Sequence, residues 1–263
     1  MGQQRIEFVG GMSDNTGLTG ESYVGIDGCK KGWIAITLAE GAGWRVDVFE
    51  TIAEMWTACK NARLILVDIP IGLPDRTTPD DRSCDKEARH LLGHKRGCSV
   101  FPAPCRPAVY ANGYDHASKI TEDITGKQLT RQAWGIVPKI RQVDQFLENK
   151  MSSRAKIREI HPEVCFWAFA GGKPMLHRKS KHEGFSERMD VLLSVYPCTA
   201  EIVDYALNRF LRRDVKRDDI LDALVAALTA SMKRRGLSYL PEIPEHDSRG
   251  LPMQMLYVSL SHC

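Results

Sequence analysis

The residues best suited to do chemistry in this chain are acidic: Asp27 in YVGIDGC, Asp68 in LILVDIP, and Asp219 with Asp222 at the start of DDILDALVAALTA. The first two sit where hydrophobic strands should end, and the last two open a helix, so separate parts of the chain can bring carboxylates to one point. Neighbouring strands run about 4.8 Å apart, and side chains at their carboxyl ends can share one ligand. Two such carboxylates suit one divalent ion. A third and fourth on a nearby helix can bridge to a second ion about 3.5–4 Å away, a spacing that stabilises both the attacking and the leaving oxygen in phosphoryl transfer. Hard cations such as Mg²⁺ or Mn²⁺ prefer carboxylate and water oxygens, so no histidine or thiolate is required.

Each aspartate also has a plain structural use. Asp27 can begin a turn before Gly28, Asp68 can end a strand ahead of Pro70 by bonding its own backbone, and Asp218 or Asp219 can cap the last helix. Asp222 resists that account. It falls a turn into a helix of Ile, Leu, Val and Ala, where aspartate has poor propensity, and Asp218 and Asp219 share its side. Carboxylates clustered there repel one another without a cation. The expected metal ligands are therefore Asp27, Asp68 and Asp222, with Asp219 assisting.

The elements that must position these residues follow from hydrophobic patterning. YVGIDGC reads as a buried strand, WIAITLA as a second after the Lys30-Lys31-Gly32 turn, and RVDVFE as a third with alternating polarity. Thr51 and Glu54 form a capping-box signature ahead of a short amphipathic helix, and LILVD follows as the continuous apolar run of an inner parallel strand. The order is β-β-β-α-β. A right-handed crossover sets the Asp68 strand parallel to the Asp27 strand, with both aspartates at the same sheet edge.

A mostly helical insertion is expected over about residues 72–152. In it, DDRSCDKEARHLLG reads as a helix with Asp80 or Asp81 as cap and Gly93 as stop, and TGKQLTRQAWGIVPKIRQVDQFLENK as one or two helices broken near Pro138. Arg89, Arg106 and Arg141 could form a lid of fork-shaped phosphate donors, or pair ordinarily among the lid helices. KIREIHPEVCFWAFAG resumes the core with a strand ending near His161 and a helix opened by Pro162. Glu163 is a candidate outer-sphere ligand or a complement to the helix N-terminus, and His161 is expected to cap or pack there rather than shuttle protons. The cluster His177-Arg178-Lys179-Ser180-Lys181 could touch phosphates, Lys179 among them, or form a solvated basic segment. The tail reads as prolines followed by an edge strand, MQMLYV.

The segments GIDGCKKGW, VDIPIGLP, CDKEAR, SVFPAP, VPKIRQVD, EIHPEVCFWA and DDILDALVAALTA, in that order, resemble those of domain-of-unknown-function family number 429, described as predicted RNase H-like nucleases. The resemblance runs from Val24 to the tail. It implies an α/β fold with an RNase H-like mixed sheet flanked by helices, and Mg²⁺- or Mn²⁺-dependent hydrolysis of nucleic-acid phosphodiesters. That fold also hosts transposases, junction resolvases and ATP-dependent kinases, so a binding module or a phosphotransferase stands as an alternative.

Composition bounds these readings. A chain of 263 residues with 43% hydrophobic content can bury a full α/β core. Residues 1–21 read as a Gly-rich arm, and residues 22–263 as one domain. A net charge of +3 does not advertise a strongly basic nucleic-acid binder. The eight cysteines form no C-x-x-C pair, and no 18-residue apolar run appears, which fits a reducing cytoplasm and no membrane span. Cys84, His90, His94 and Cys98 lack paired-ligand zinc spacing. P-loop, nucleophile-elbow and dinucleotide fingerprints are missing from the sequence.

Overall fold

The computed structural model describes residues 20–41, 43–75, 81–234 and 236–259. Most of the arm, residue Asp80 and the last four residues lie outside this range. At the junction, Glu21 receives Arg234 at 2.8 Å and Arg63 at 3.2 Å.

Three antiparallel strands open the fold: β1 (Ser22–Cys29), β2 (Gly32–Ala39) and β3 (Gly43–Phe49). Helix α1 (Ile52–Cys59) follows, its N-terminus held by Thr51 Oγ1, which accepts the Glu54 N–H at 3.2 Å. The Glu54 carboxylate reaches back to the Glu50 N–H at 3.1 Å, one residue earlier than a strict capping box. Strand β4 (Leu64–Val67) then lies parallel to β1, as an uninterrupted apolar run demands.

The long connection to β5 (Ile157–Glu159) is mostly helical: α2 (Ser83–Arg96), α3 (Arg106–Val109), α4 (Tyr114–Thr125) and α5 (Arg131–Asn149). After β5 come α6 (Pro162–Phe169), α7 (His182–Val195), α8 (Thr199–Arg209), α9 (Arg217–Ser231), and the strands β6 (Leu237–His246) and β7 (Pro252–Val258). The seven strands among the described residues join one mixed sheet in the order β3-β2-β1-β4-β5-β7-β6, an RNase H-like arrangement with helices on both faces.

Alternation along the strands sorts side chains between two apolar layers. Val24, Ile26, Ile65, Val67 and Ile157 meet α1 and α5 on one face. Tyr23, Cys29, Leu64, Leu66 and Ile160 meet α6, α8 and α9 on the other. By the same period of two, Asp27 and Asp68 fall on the α9 face, whereas Glu159 falls on the opposite one.

Several boundaries differ from expectation. Gly93 does not stop α2: it takes φ 61°, ψ −167° and the chain resumes helical turns to Arg96. Glycine tolerates that left-handed backbone, so the result is a kink rather than an end. The α2 N-cap is Arg82, and Asp81 instead pairs with Arg89 at 3.3 Å and Lys127 at 3.5 Å. Pro138 lies inside α5, and α5 runs unbroken around it. A mid-helix proline costs about 3 kcal/mol, but Val137, Ile140, Val143 and Leu147 bury a continuous face there, which outweighs it. The tail segment MQMLYV is an inner strand: β7 pairs with β5 and β6, and β6, carrying Pro241 and Pro244, takes the edge where missing N–H groups do no harm. Among the described residues no helix is long and apolar enough to cross a membrane.

Candidate metal centre

The register of β1 against β4 ends with Ile26 opposite Val67, so the next step sets Asp27 beside Asp68. The Asp68 N–H extends the ladder by donating to the Ile26 carbonyl at 3.0 Å. Asp27 turns one oxygen onto the Gly28 N–H at 2.6 Å. Turn formation and site membership are thus both served by the same carboxylate.

Helix α9 brings the third carboxylate. Its residues from Ile220 to Ala230 are all buried, which explains the lack of a polar stripe in the sequence. The helix backbone lies directly on β1 at Gly25, where a Cβ would meet the Ala227 nitrogen at 2.0 Å and the Ala223 carbonyl oxygen at 2.1 Å. Glycine on the strand and alanines on the helix permit that approach, and Asp222, one residue before Ala223, is carried to the α9 end of the aspartate pair. It is 1% exposed.

The three carboxylates behave as one electrostatic unit. Burial pushes Asp27 well above the usual carboxylate range, and Asp68 and Asp222 add repulsion. Burial, then Asp222, pushes Asp68 up to about 8. Asp222 is raised by burial too. Lys179 opposes the shift at all three. Its ammonium lies 2.5 Å from Asp222 Oδ2. Asp219 has a double use: it accepts the Lys216 N–H at 2.9 Å at the start of α9, while burial pushes it up to about 6 and its charge reaches Asp27.

Glu163, on the first turn of α6, completes the set. Its Oε1 receives Arg188 Nη2, and Arg96 Nε stands 4.0 Å from its Oε2. Oε2 is buried with no hydrogen-bond partner among the described residues, and the charge of Glu163 is felt by both Asp68 and Asp222. His161, half-buried at the α6 N-cap, bonds the Ser99 backbone and is held below its ordinary range by burial. It packs, as expected, and its Nδ1 is left as a buried acceptor without a partner among the described residues.

Lys139 on α5 is a member of the site that the motifs do not single out. Its ammonium donates to the Gly32 carbonyl and sits 4.6 Å over the Trp33 ring. Burial lowers its pKa, while Cys29, Asp27 and Asp219 oppose that. A signal for it exists in VPKIRQVD, where a lysine interrupts the apolar face of the helix. Arg188, in a part of α7 that carries no motif, gives none.

The three insertion arginines are not presented to the aspartates. Arg89 donates to the Val100 carbonyl at 2.7 Å and to Asp81 at 3.3 Å. Arg106 forks onto Asp144 at 3.1 and 3.3 Å, donates to Asp247, and reaches Ser248 at 3.1 Å. Arg141 closes on the Val109 carbonyl at 2.5 and 2.8 Å and on Ala111 at 3.3 Å. Each fork is used to fasten the insertion to itself or to the β6–β7 turn. Of the expected phosphate contacts, Lys179 alone joins the carboxylates.

Cys84, Asp85 and Glu159 bring ligand atoms within 4.8 Å of one another on the opposite face of the sheet. Arg82 already occupies that charge position, with Nη2 at 2.6 Å from Asp85 and 2.8 Å from Glu159. Burial pushes the Cys84 thiol upward.

The chain belongs to the family described as protein of unknown function (DUF429), which matches residues 25–246. No curated protein and no solved structure matches it.

Proposed function

We propose that this member of the DUF429 family is a metal-dependent nuclease that hydrolyses phosphodiester bonds. The observation that carries the reading is the mutual electrostatic strain of Asp27, Asp68 and Asp222, with the charge of Glu163, whose Oε2 is buried without a hydrogen-bond donor among the described residues, felt at Asp68 and Asp222. A buried carboxylate oxygen without a donor is costly, as are adjacent buried carboxylates that raise one another's pKa. A divalent cation relieves both, and an all-oxygen donor set fits Mg²⁺ or Mn²⁺. Asp27, Asp68 and Asp222 would hold it, with Glu163 in the outer sphere. Bound there, such ions activate water and neutralise charge on the leaving oxygen.

The chain's own residues supply the rest. Arg188 fixes one oxygen of Glu163 and leaves the other without a hydrogen bond among the described residues. Asp219 holds the first turn of α9 and so the orientation of Asp222. The exposed residues His177, Arg178, Lys181 and His182 flank Lys179 at the rim, which favours a polyanionic strand as substrate through sequence-independent phosphate contacts.

The test is Mn²⁺ anomalous scattering from soaked crystals of the native protein and of Asp222→Asn, followed by cleavage assays on RNA, DNA and hybrid duplexes. Manganese among the three aspartates, lost in the variant together with metal-dependent cleavage, is the expected result. No metal at millimolar Mn²⁺ and nucleic-acid binding that survives Asp27→Asn would replace the nuclease with a binding module.

A further inference from the structure

Lys179 meets its partner across a difference in exposure: the Asp222 side chain is 1% exposed and that of Lys179 is 44% exposed. The lysine reaches in from the surface to a buried carboxylate, and its charge is felt at Asp27 and Asp68 as well.

The backbone beneath it is pinned by α7. Glu187 accepts the Leu176 and His177 N–H groups at 2.6 and 2.9 Å, and Arg188 donates to the His177 carbonyl at 3.2 Å. The Lys181 N–H bonds the Arg178 carbonyl at 3.0 Å. Gly184 lies so close beneath Arg178 that a Cβ there would fall 2.0 Å from the Arg178 oxygen. The anchor is therefore fixed, and what can move is the four-carbon side chain with its flexible point charge.

We propose that the Lys179 ammonium is a tethered stand-in for the divalent ion at Asp222, displaced when metal enters and thereby freed for a substrate phosphate. This rests on the metal-site reading above. Both cations require the same carboxylate, and without either the buried cluster lacks compensation. Displacement also ties metal loading to the appearance of an unpaired cation at the rim, so the loaded site attracts the polyanion more strongly than the empty one.

The experiment is Mn²⁺ affinity, measured by titration calorimetry or electron paramagnetic resonance at pH 8, for wild type, Lys179→Gln and Lys181→Gln. The second variant removes the same charge from the same exposed segment without touching the Asp222 pair. Freed from breaking an ion pair, Lys179→Gln should bind Mn²⁺ about tenfold tighter, and Lys181→Gln should gain less than about threefold. Equal affinities for all three proteins, equal gains in both variants, or weaker binding by Lys179→Gln would overturn the stand-in and leave the metal site standing. Absence of Mn²⁺ binding in all three would remove the metal site and this inference together.

Discussion

Gly25→Ala puts a methyl group where α9 already lies. The added Cβ would fall 2.0 Å from the Ala227 nitrogen, 2.1 Å from the Ala223 oxygen and 2.6 Å from the Ala226 carbonyl carbon. Heavy atoms pack best at about 3.5–4.0 Å, so the helix must withdraw by about 1.5 Å at this point. The obstructing atoms are backbone on an entirely buried helix, and no side chain can rotate aside. Overpacking that side chains can absorb costs about 1–3 kcal/mol, so the variant should lose about 3 kcal/mol or more. For a chain of this size that corresponds to a melting temperature lower by about 6–12 °C. The same withdrawal carries Asp222 away from Asp27, so Mn²⁺ affinity should fall by about tenfold or more. Circular dichroism melting and Mn²⁺ titration read the two effects. Gly135, exposed on α5 with open space around its Cβ position, is the control. Alanine there should stabilise by about 0.5–1 kcal/mol through helix propensity. A Gly25→Ala protein that melts within about 2 °C of wild type and binds Mn²⁺ normally would refute the close packing of α9 on β1 and the way it positions the third aspartate.

Two further perturbations address charge. Asp68 ionises near 3.8 in an unperturbed chain and at about 8 in the fold, so between those values the folded protein holds the extra proton, and stability falls as pH rises across that window. In EDTA, wild type should lose more stability between pH 5 and pH 8 than Asp68→Asn does, by on the order of 3 kcal/mol at ~1.4 kcal/mol per pH unit, and identical urea midpoints across pH would contradict the carboxylate cluster. On the other face of the sheet, Arg82→Met leaves Asp85 and Glu159 buried without their shared partner. It should destabilise by about 3–5 kcal/mol in urea unfolding; a loss below about 1 kcal/mol would mean that the pair is not buried as described.

The strand framework is legible in the sequence because its signals are local. Apolar runs and turn residues set β1, β2, β3 and β4, and the handedness of the crossover is then enough to put Asp27 beside Asp68. Asp222 is legible because aspartate inside an apolar helix contradicts propensity. The fates of Arg89, Arg106 and Arg141 are not, since a guanidinium fork fits a phosphate and a carboxylate equally well. What decides for Arg106 is the arrival of Asp144 and Asp247 from remote positions in the chain. The place of β7 is hidden for a similar reason. The segment MQMLYV reads as an edge strand, yet its Gln254 is buried, accepting from Arg158 at 2.5 Å and donating to the Pro241 carbonyl at 2.8 Å. Pro138 misleads because its local penalty is visible in sequence and the buried face that overrides it is shared with a distant sheet.

The laying of α9 across β1 has a consequence for how the molecule is made. Asp27 and Asp68 leave the ribosome before Asp222, so α9 must emerge before the three carboxylates can come together. Until then the sheet face bearing Tyr23, Leu64 and Leu66 lacks its covering helix and displays apolar surface. A product that stops before α9 therefore keeps part of this apolar face uncovered, a surface prone to aggregation.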